Sequence, residues 1–248
     1  MRNLFLLALP LLAVTAKAQS TTPDDPISSV RPSFSDSPTI VPVRHLQIEY
    51  GLSYFSPGRN EERSDFGEVF LRYGLRPRLE FRVQLPNYDL TPGGHGDGFD
   101  NTSIAVSYYL GKALGFDLGV IPTLSFPTGA RGLRYDGVAP AVSLNAQRSI
   151  GGGNTFGGTL FQSYGRQDDE DLIQTTATLN AVHPFSKSLA GFVEYGGFFA
   201  KDAQPVHYAH LGVQLLVSKT SQFDIHGGFG LGGAAAHEFI GAGYSVRF

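Results

Sequence analysis

Ten polar side chains recur in this chain at a spacing that alternates with apolar ones: Glu49, Glu68, Arg72, Glu80, Arg82, Gln84, Glu194, Asp224, His226 and Arg247. On an extended backbone every second residue points the same way, so Glu80, Arg82 and Gln84 share one face, as do Asp224 and His226. Carboxylates and guanidiniums placed together pair with each other, or they filter what moves along an enclosed aqueous passage. Glu49, Arg72, Glu80, Arg82, Asp224 and Arg247 sit on segments that become neighbours if the first and last segments of the chain meet. They are expected to form one ion-pair network near one end of the molecule. Two readings of these charges stay open. They are gate residues, or they are the paired charges that any polar interior requires, since an unpaired one costs more.

Other spacings that could serve catalysis or ligand binding fail on geometry. Gly228, Gly230 and Gly233 match a phosphate-loop string, but it lies in an alternating run with no helix after it. Ser163 lacks the leading glycine of a nucleophile elbow, because Phe161 stands there. His207 and His210 are three apart in an extended run and point to opposite faces, which rules out a shared metal. His237 and Glu238 have no second histidine four residues on. The acidic run Asp168 to Asp171 reads as a solvated loop tip. No cofactor and no metal is expected, and the chain is not expected to be an enzyme. A lipid hydrolase built on Ser163 or Ser125 with a histidine remains a minor alternative.

The elements that position these side chains follow from the texture of the chain. Arg2, an apolar run from Leu4 to Val14 and the small-residue stretch Ala16-Lys17-Ala18 make residues 1–18 an expected export signal, too short to span a bilayer as a helix. Residues 19–44 carry Pro23, Pro26, Pro32, Pro38 and Pro42 among Ser, Thr and Asp, so they cannot ladder into a sheet interior and are expected to form a periplasmic arm. Within residues 45–248 the pattern becomes a two-residue alternation. Leu46, Ile48, Tyr50, Leu52 and Tyr54 oppose Gln47, Glu49, Gly51 and Ser53, and Leu79, Phe81, Val83 and Leu85 oppose Glu80, Arg82 and Gln84.

Similar runs cover Phe66 to Leu75, Ser103 to Leu110, Phe116 to Phe126, Val138 to Arg148, Thr155 to Tyr164, Leu172 to Val182, Leu189 to Phe199, Val206 to Val217, Phe223 to Leu231 and Phe239 to Phe248. The total is about twelve strands, an even number, as a single-chain bacterial membrane barrel requires. Connections alternate between short ones, such as Arg76 to Arg78 and Gly111 to Ala113, and longer ones, such as Pro86 to Asp100, Thr128 to Gly137 and Gly165 to Asp171. That regularity fits short periplasmic turns and longer extracellular loops, and a soluble sandwich has no need of it. In this reading the aromatic stripe faces lipid and the charged stripe faces the lumen.

Composition agrees. The chain holds 31 Gly, 19 Phe and 11 Tyr at a mean hydropathy close to zero, whereas helical membrane proteins need long apolar runs. No cysteine occurs, so no disulfide supports the exported chain. A net charge of −3 gives no electrostatic reason to bind nucleic acid.

The final run places Ile240, Ala242, Tyr244, Val246 and the terminal Phe248 on one face. It is similar to the terminal-aromatic signal of outer-membrane barrels, so Tyr244, Val246 and Phe248 are the expected contact for the barrel-assembly machinery. Arg31-Pro32, Ser37-Pro38, Val41-Pro42 and the run Gln47-Ile48-Glu49-Tyr50-Gly51 resemble the opening of the MetA-pathway phenol-degradation family of outer-membrane transporter barrels. Arg72 to Pro86, Leu118 to Gly129 and Leu211 to Phe248 are also similar, and the only departures noted are Arg44 and Ile48. The resemblance implies an outer-membrane barrel that passes small organic compounds, and it brings no catalytic residues. The expected function is a passive channel for small, hydrophobic or aromatic molecules, in contact with outer-membrane lipid and lipopolysaccharide. The alternative is a closed structural barrel whose lumen is filled by side chains and the Pro-rich arm, and in either case the arm is expected to tuck into or beneath the lumen.

Overall fold

A computed structural model describes residues 22–56, 63–90, 97–233 and 238–248. The expected export signal at residues 1–18 lies outside the described residues, as does His237. Two-residue alternation produces strands throughout: β1 (Leu46–Phe55), β2 (Arg63–Arg76), β3 (Leu79–Gln84), β4 (Tyr88–Leu90), β5 (Gly98–Phe99), β6 (Thr102–Ala113), β7 (Phe116–Phe126), β8 (Ala139–Gly151), β9 (Asn154–Gln167), β10 (Glu170–Pro184), β11 (Leu189–Ala200), β12 (Val206–Ser218), β13 (Ser221–Gly233) and β14 (Glu238–Arg247). All pairings between strands are antiparallel. β1 pairs with both β2 and β14, which closes the sheet on itself. β3 pairs with β2 and β6, and the short β4 and β5 continue that part of the wall, β4 pairing with β2 beyond β3 and β5 pairing with β4 just before β6. The result is a closed barrel of twelve strands. Closure leaves no open sheet edge in the hydrocarbon region, where an unpaired backbone group has no water to bond.

The orientation of the two stripes is the expected one. Tyr50, Leu52 and Tyr54 face outward, while Gln47, Glu49 and Ser53 are buried toward the lumen. On the last strand Ile240, Tyr244 and Phe248 are exposed outward, and Ser245 and Arg247 are buried inward. Aromatics do not all follow the outer stripe, however. Phe198, Tyr208 and Phe239 point into the barrel, where Phe34 supplies them with a partner, and Phe192 points inward against His210.

At the periplasmic end, turns are tight, as at Gly152 and Gly153, whose φ of 61° and 78° suit a two-residue hairpin. The connection expected as a long loop over Gly165 to Asp171 is a second tight hairpin. β9 and β10 pair up to Gln167 and Glu170, and Asp168 and Asp169 turn the chain with φ of 51° and 66°. Aspartate tolerates that left-handed conformation, so an acidic run that reads as a loop tip suffices for a two-residue turn.

Leu144 stands mid-strand on β8 and is 51% exposed on the outer face. Leu144→Arg is expected to lower the unfolding free energy in lipid by about 2–4 kcal/mol. Equilibrium denaturation in vesicles measures this, and a loss near zero would contradict the assigned lipid face.

Candidate functional site

Residues 22–44 enter the barrel from the turn end, where the Ile27 amide donates to the Lys219 carbonyl at 2.8 Å. The chain rises through the lumen to Phe34 and returns to the wall at Val43, which bridges to Gly74 on β2. Pro32, Ser35, Pro38, Ile40, Val41 and Pro42 are buried along the way. The arm therefore lies within the lumen and not beneath it. Five prolines withhold amide donors from any ladder, and the remaining amides still need acceptors once water is gone.

Three wall carboxylates supply them. Glu49 of β1 accepts the Val30 and Arg31 amides at 3.2 and 3.1 Å and the Ser29 hydroxyl at 2.7 Å. Glu194 of β11 accepts the Phe34 and Ser35 amides, each at 2.7 Å, and the hydroxyls of Ser33 and Ser35. Glu80 of β3 accepts the Val41 amide at 2.7 Å. Hydrogen bonds to an ionised acceptor contribute about 1.5–3 kcal/mol each where buried, so these contacts hold the rising limb and the Phe34 apex of the arm without strand pairing, which is confined to isolated bridges on the returning limb, as where Val43 meets β2.

The same acids belong to an ion-pair chain. Arg72 bonds Glu49 at 3.0 Å and Glu80 at 2.8 Å, Arg82 bonds Glu80 at 2.6 Å, and the far nitrogen of Arg82 reaches Asp36 of the arm at 2.7 Å. Arg72 also donates to the carbonyls of Ser28 and Thr39, gripping the arm's rising and returning limbs at once. Every wall member of this chain is 1% exposed or less. Glu49, Arg72, Glu80 and Arg82 thus come together as expected, but the other two residues placed in that network do not join it. Arg247 donates to the carbonyls of Pro23 and Asp25 at the turn end. Asp224 stands 3.7 Å from Arg31 of the arm. Both are separated from the chain because the arm, which has no strand periodicity, carries their partners.

A second line runs from Glu194 through His210, at 2.8 Å, to His226, at 3.0 Å. His210 escaped the reading of the sequence, which weighed it only as a metal ligand with His207. The inward parity it shares with Tyr208 on β12 was the available signal. His207 lies on the opposite face beside Tyr195 and Phe199. Phe34, at the top of the arm, packs against Phe198, Tyr208, His210 and Phe239 with ring centroids 4.4–6.3 Å apart. Of the serines weighed as nucleophiles, Ser125 is hydrogen-bonded to Ser103.

The arm divides the remaining space. On the loop side lie a cavity of about 390 Å³ against Arg82, Ser143, Thr159 and Phe161, and another of about 360 Å³ against Arg31, Ser53, Glu68 and Asn87. On the turn side lies one of about 170 Å³ against Ser29, Gln147, Asn180 and Gln214. Residues 33–36 border both sides.

Solved structures share this fold. The outer membrane channel from Pseudomonas putida F1 superposes with a TM-score of 0.65 at 13% identity, over 89% of this chain and 100% of that one. The KdgM porin gives 0.59 at 11% identity over 82% and 99%, and the NanC porin gives 0.59 at 8% identity over 81% and 98%. At such identities the likeness concerns the fold. No curated protein sequence matches the chain. The model of the family described as "Putative MetA-pathway of phenol degradation" matches residues 29–248.

Glu80→Ala strips an acceptor shared by two buried guanidiniums and an arm amide, and about 3–5 kcal/mol of stability should be lost. Arg82→Ala should behave in kind, whereas Gln84→Ala at the loop-side rim should cost about 0.5 kcal/mol or less. The temperature at which the folded band is lost in gel electrophoresis measures all three. Equal shifts would contradict the role assigned to the ion-pair chain.

Proposed function

The chain belongs to that family, and from this premise we propose that it is an outer-membrane channel for small molecules whose passage is set by the arm lying in its lumen. A single observation carries the reading: residues 33–36 separate the loop-side cavities from the turn-side one, and they are held by side chains of the wall and not by strand pairing. A segment held in this way can leave or shift without breaking the barrel, because the twelve-strand ladder closes through β1, β2 and β14 independently of it. Glu49, Arg72, Glu80, Arg82 and Glu194 are then gate residues in the sense that they fix the arm. Asp224, His226 and Arg247 act on the same segment or beside it. The likeness to a channel and to porins supports passage over chemistry as the activity, and the outer membrane, reached by an export signal at residues 1–18, as the location. Lipopolysaccharide and lipid surround the outer stripe, and the strand ending in Tyr244, Val246 and Phe248 presents the signal for the barrel-assembly machinery.

A structural barrel with a filled lumen is the competing reading, and the burial of the arm is what favours it. Deleting Thr21 to Pro42 separates the two. Single-channel conductance in planar bilayers should rise several-fold in the deletion, and Glu49→Ala combined with Glu194→Ala should show brief openings to the same level. Conductance identical to that of the intact chain would overturn the proposed gate.

A further inference from the structure

Arg31 of the arm sits in a pocket of the wall made by Glu68, Asp224 and the Ala242 carbonyl. Its backbone amide donates to Glu49, Nη1 pairs with Glu68, and Nη2 donates to the Ala242 carbonyl at 3.3 Å and stands 3.7 Å from Asp224. Space for the guanidinium is cut into the wall. A Cβ on Gly51 of β1 or on Gly243 of β14 would overlap it. Charge is not balanced here: the two carboxylates of Glu68 and Asp224 face one guanidinium, while Glu49 takes the Arg31 backbone amide and is paired with Arg72.

The fit is also loose. Asp224 has a fully buried side chain, yet neither of its oxygens receives a hydrogen bond, and Nε of Arg31 makes none either. A buried carboxylate without donors is costly, and a guanidinium offers five donors in a planar fork suited to satisfying such groups. Arg31 cannot place its fork fully, because its backbone is tied by Glu49 and by Gln214, which donates to the Arg31 carbonyl at 3.0 Å. Arg31 and Glu68 border the loop-side cavity of about 360 Å³, which puts this pocket on the loop side of the arm.

We infer that the pocket of Glu68, Asp224 and the Ala242 carbonyl is a binding site for small organic cations bearing a guanidinium group, and that Arg31 occupies it as a tethered stand-in. This inference rests on the channel reading for its biological sense: a free cation displaces Arg31 and loosens the arm. The site itself is a property of the barrel wall. Its ligand class is opposite in charge to the oligogalacturonate carried by a solved KdgM complex.

Chemical rescue tests it in the full-length barrel. Arg31→Ala should lower the thermal midpoint, and guanidinium chloride at low millimolar concentration, far below denaturing levels, should restore at least half of the loss. Urea, its uncharged counterpart of the same shape, should restore none at equal concentration. Adding Asp224→Asn to Arg31→Ala should abolish the rescue. In planar bilayers under a potassium chloride gradient, Arg31→Ala should shift the reversal potential toward greater cation selectivity, and guanidinium should reverse the shift. Where Arg31→Ala folds poorly, the yield of refolded barrel with guanidinium against urea is the measurement, and Arg31→Gln is the second variant. Equal effects of urea and guanidinium, or rescue that survives Asp224→Asn, would overturn the site. Rescue of thermal stability in a barrel whose conductance ignores arm deletion would leave the site standing and remove the channel reading alone.

Discussion

Backbone amides and carbonyls inside a bilayer have no solvent to fall back on, and the architecture of this molecule follows from where each one is satisfied. The wall meets the constraint by closing β1 onto both β2 and β14. The arm cannot meet it in that way, because proline interrupts it every few residues. Its amides are therefore delivered to Glu49, Glu80 and Glu194, three acids whose burial would otherwise be prohibitive. Wall acid and arm amide each make the other tolerable in the lumen. This mutual dependence explains why so many charged groups survive at negligible exposure inside the barrel.

A consequence is that the lumen is neither an open pore nor a uniformly packed core. Around the arm the interior is hydroxyl-, amide- and carboxylate-rich, and at Phe34 an aromatic cluster forms. Packing of Phe34 against rings from β11, β12 and β14 fixes the height to which the arm rises. The ion-pair chain from Glu49 to Asp36 fixes its lateral position. Height and position are set by different physics, so substitutions in one set leave the other in place. The pocket around Arg31 belongs to the same scheme, as a place where an arm side chain and a foreign cation meet the wall through one set of acids.

Much of the wall was legible beforehand, for a local reason. A strand declares itself through a period of two, and Leu79 to Gln84 or Ile240 to Phe248 show that period within a few residues. The inward direction of Glu49, Arg72, Glu80, Arg82, Glu194, Asp224 and Arg247 follows from parity alone. Giving the aromatic stripe to lipid fails where type and environment part: Phe198, Tyr208 and Phe239 pack on Phe34 in the lumen, and Phe192 packs on His210. The acidic hairpin at Asp168 and Asp169 was misjudged in length because polarity marks a connection without stating how many residues it uses.

By itself the amino-acid order determined strands, their number, the inward facing of the charged stripe and the closure of a barrel around it, since each of these depends on neighbours two residues apart or on short turns. Tertiary structure alone decided which wall groups meet the arm. Glu194 meets Ser35 across 159 positions, and Arg31 meets Glu68 across 37. Such contacts join a segment without periodicity to strands around the ring, and nothing local in either partner records the other. The arm's path, and with it the separation of Asp224 and Arg247 from the main ion-pair chain, exists only once the ring has closed around it.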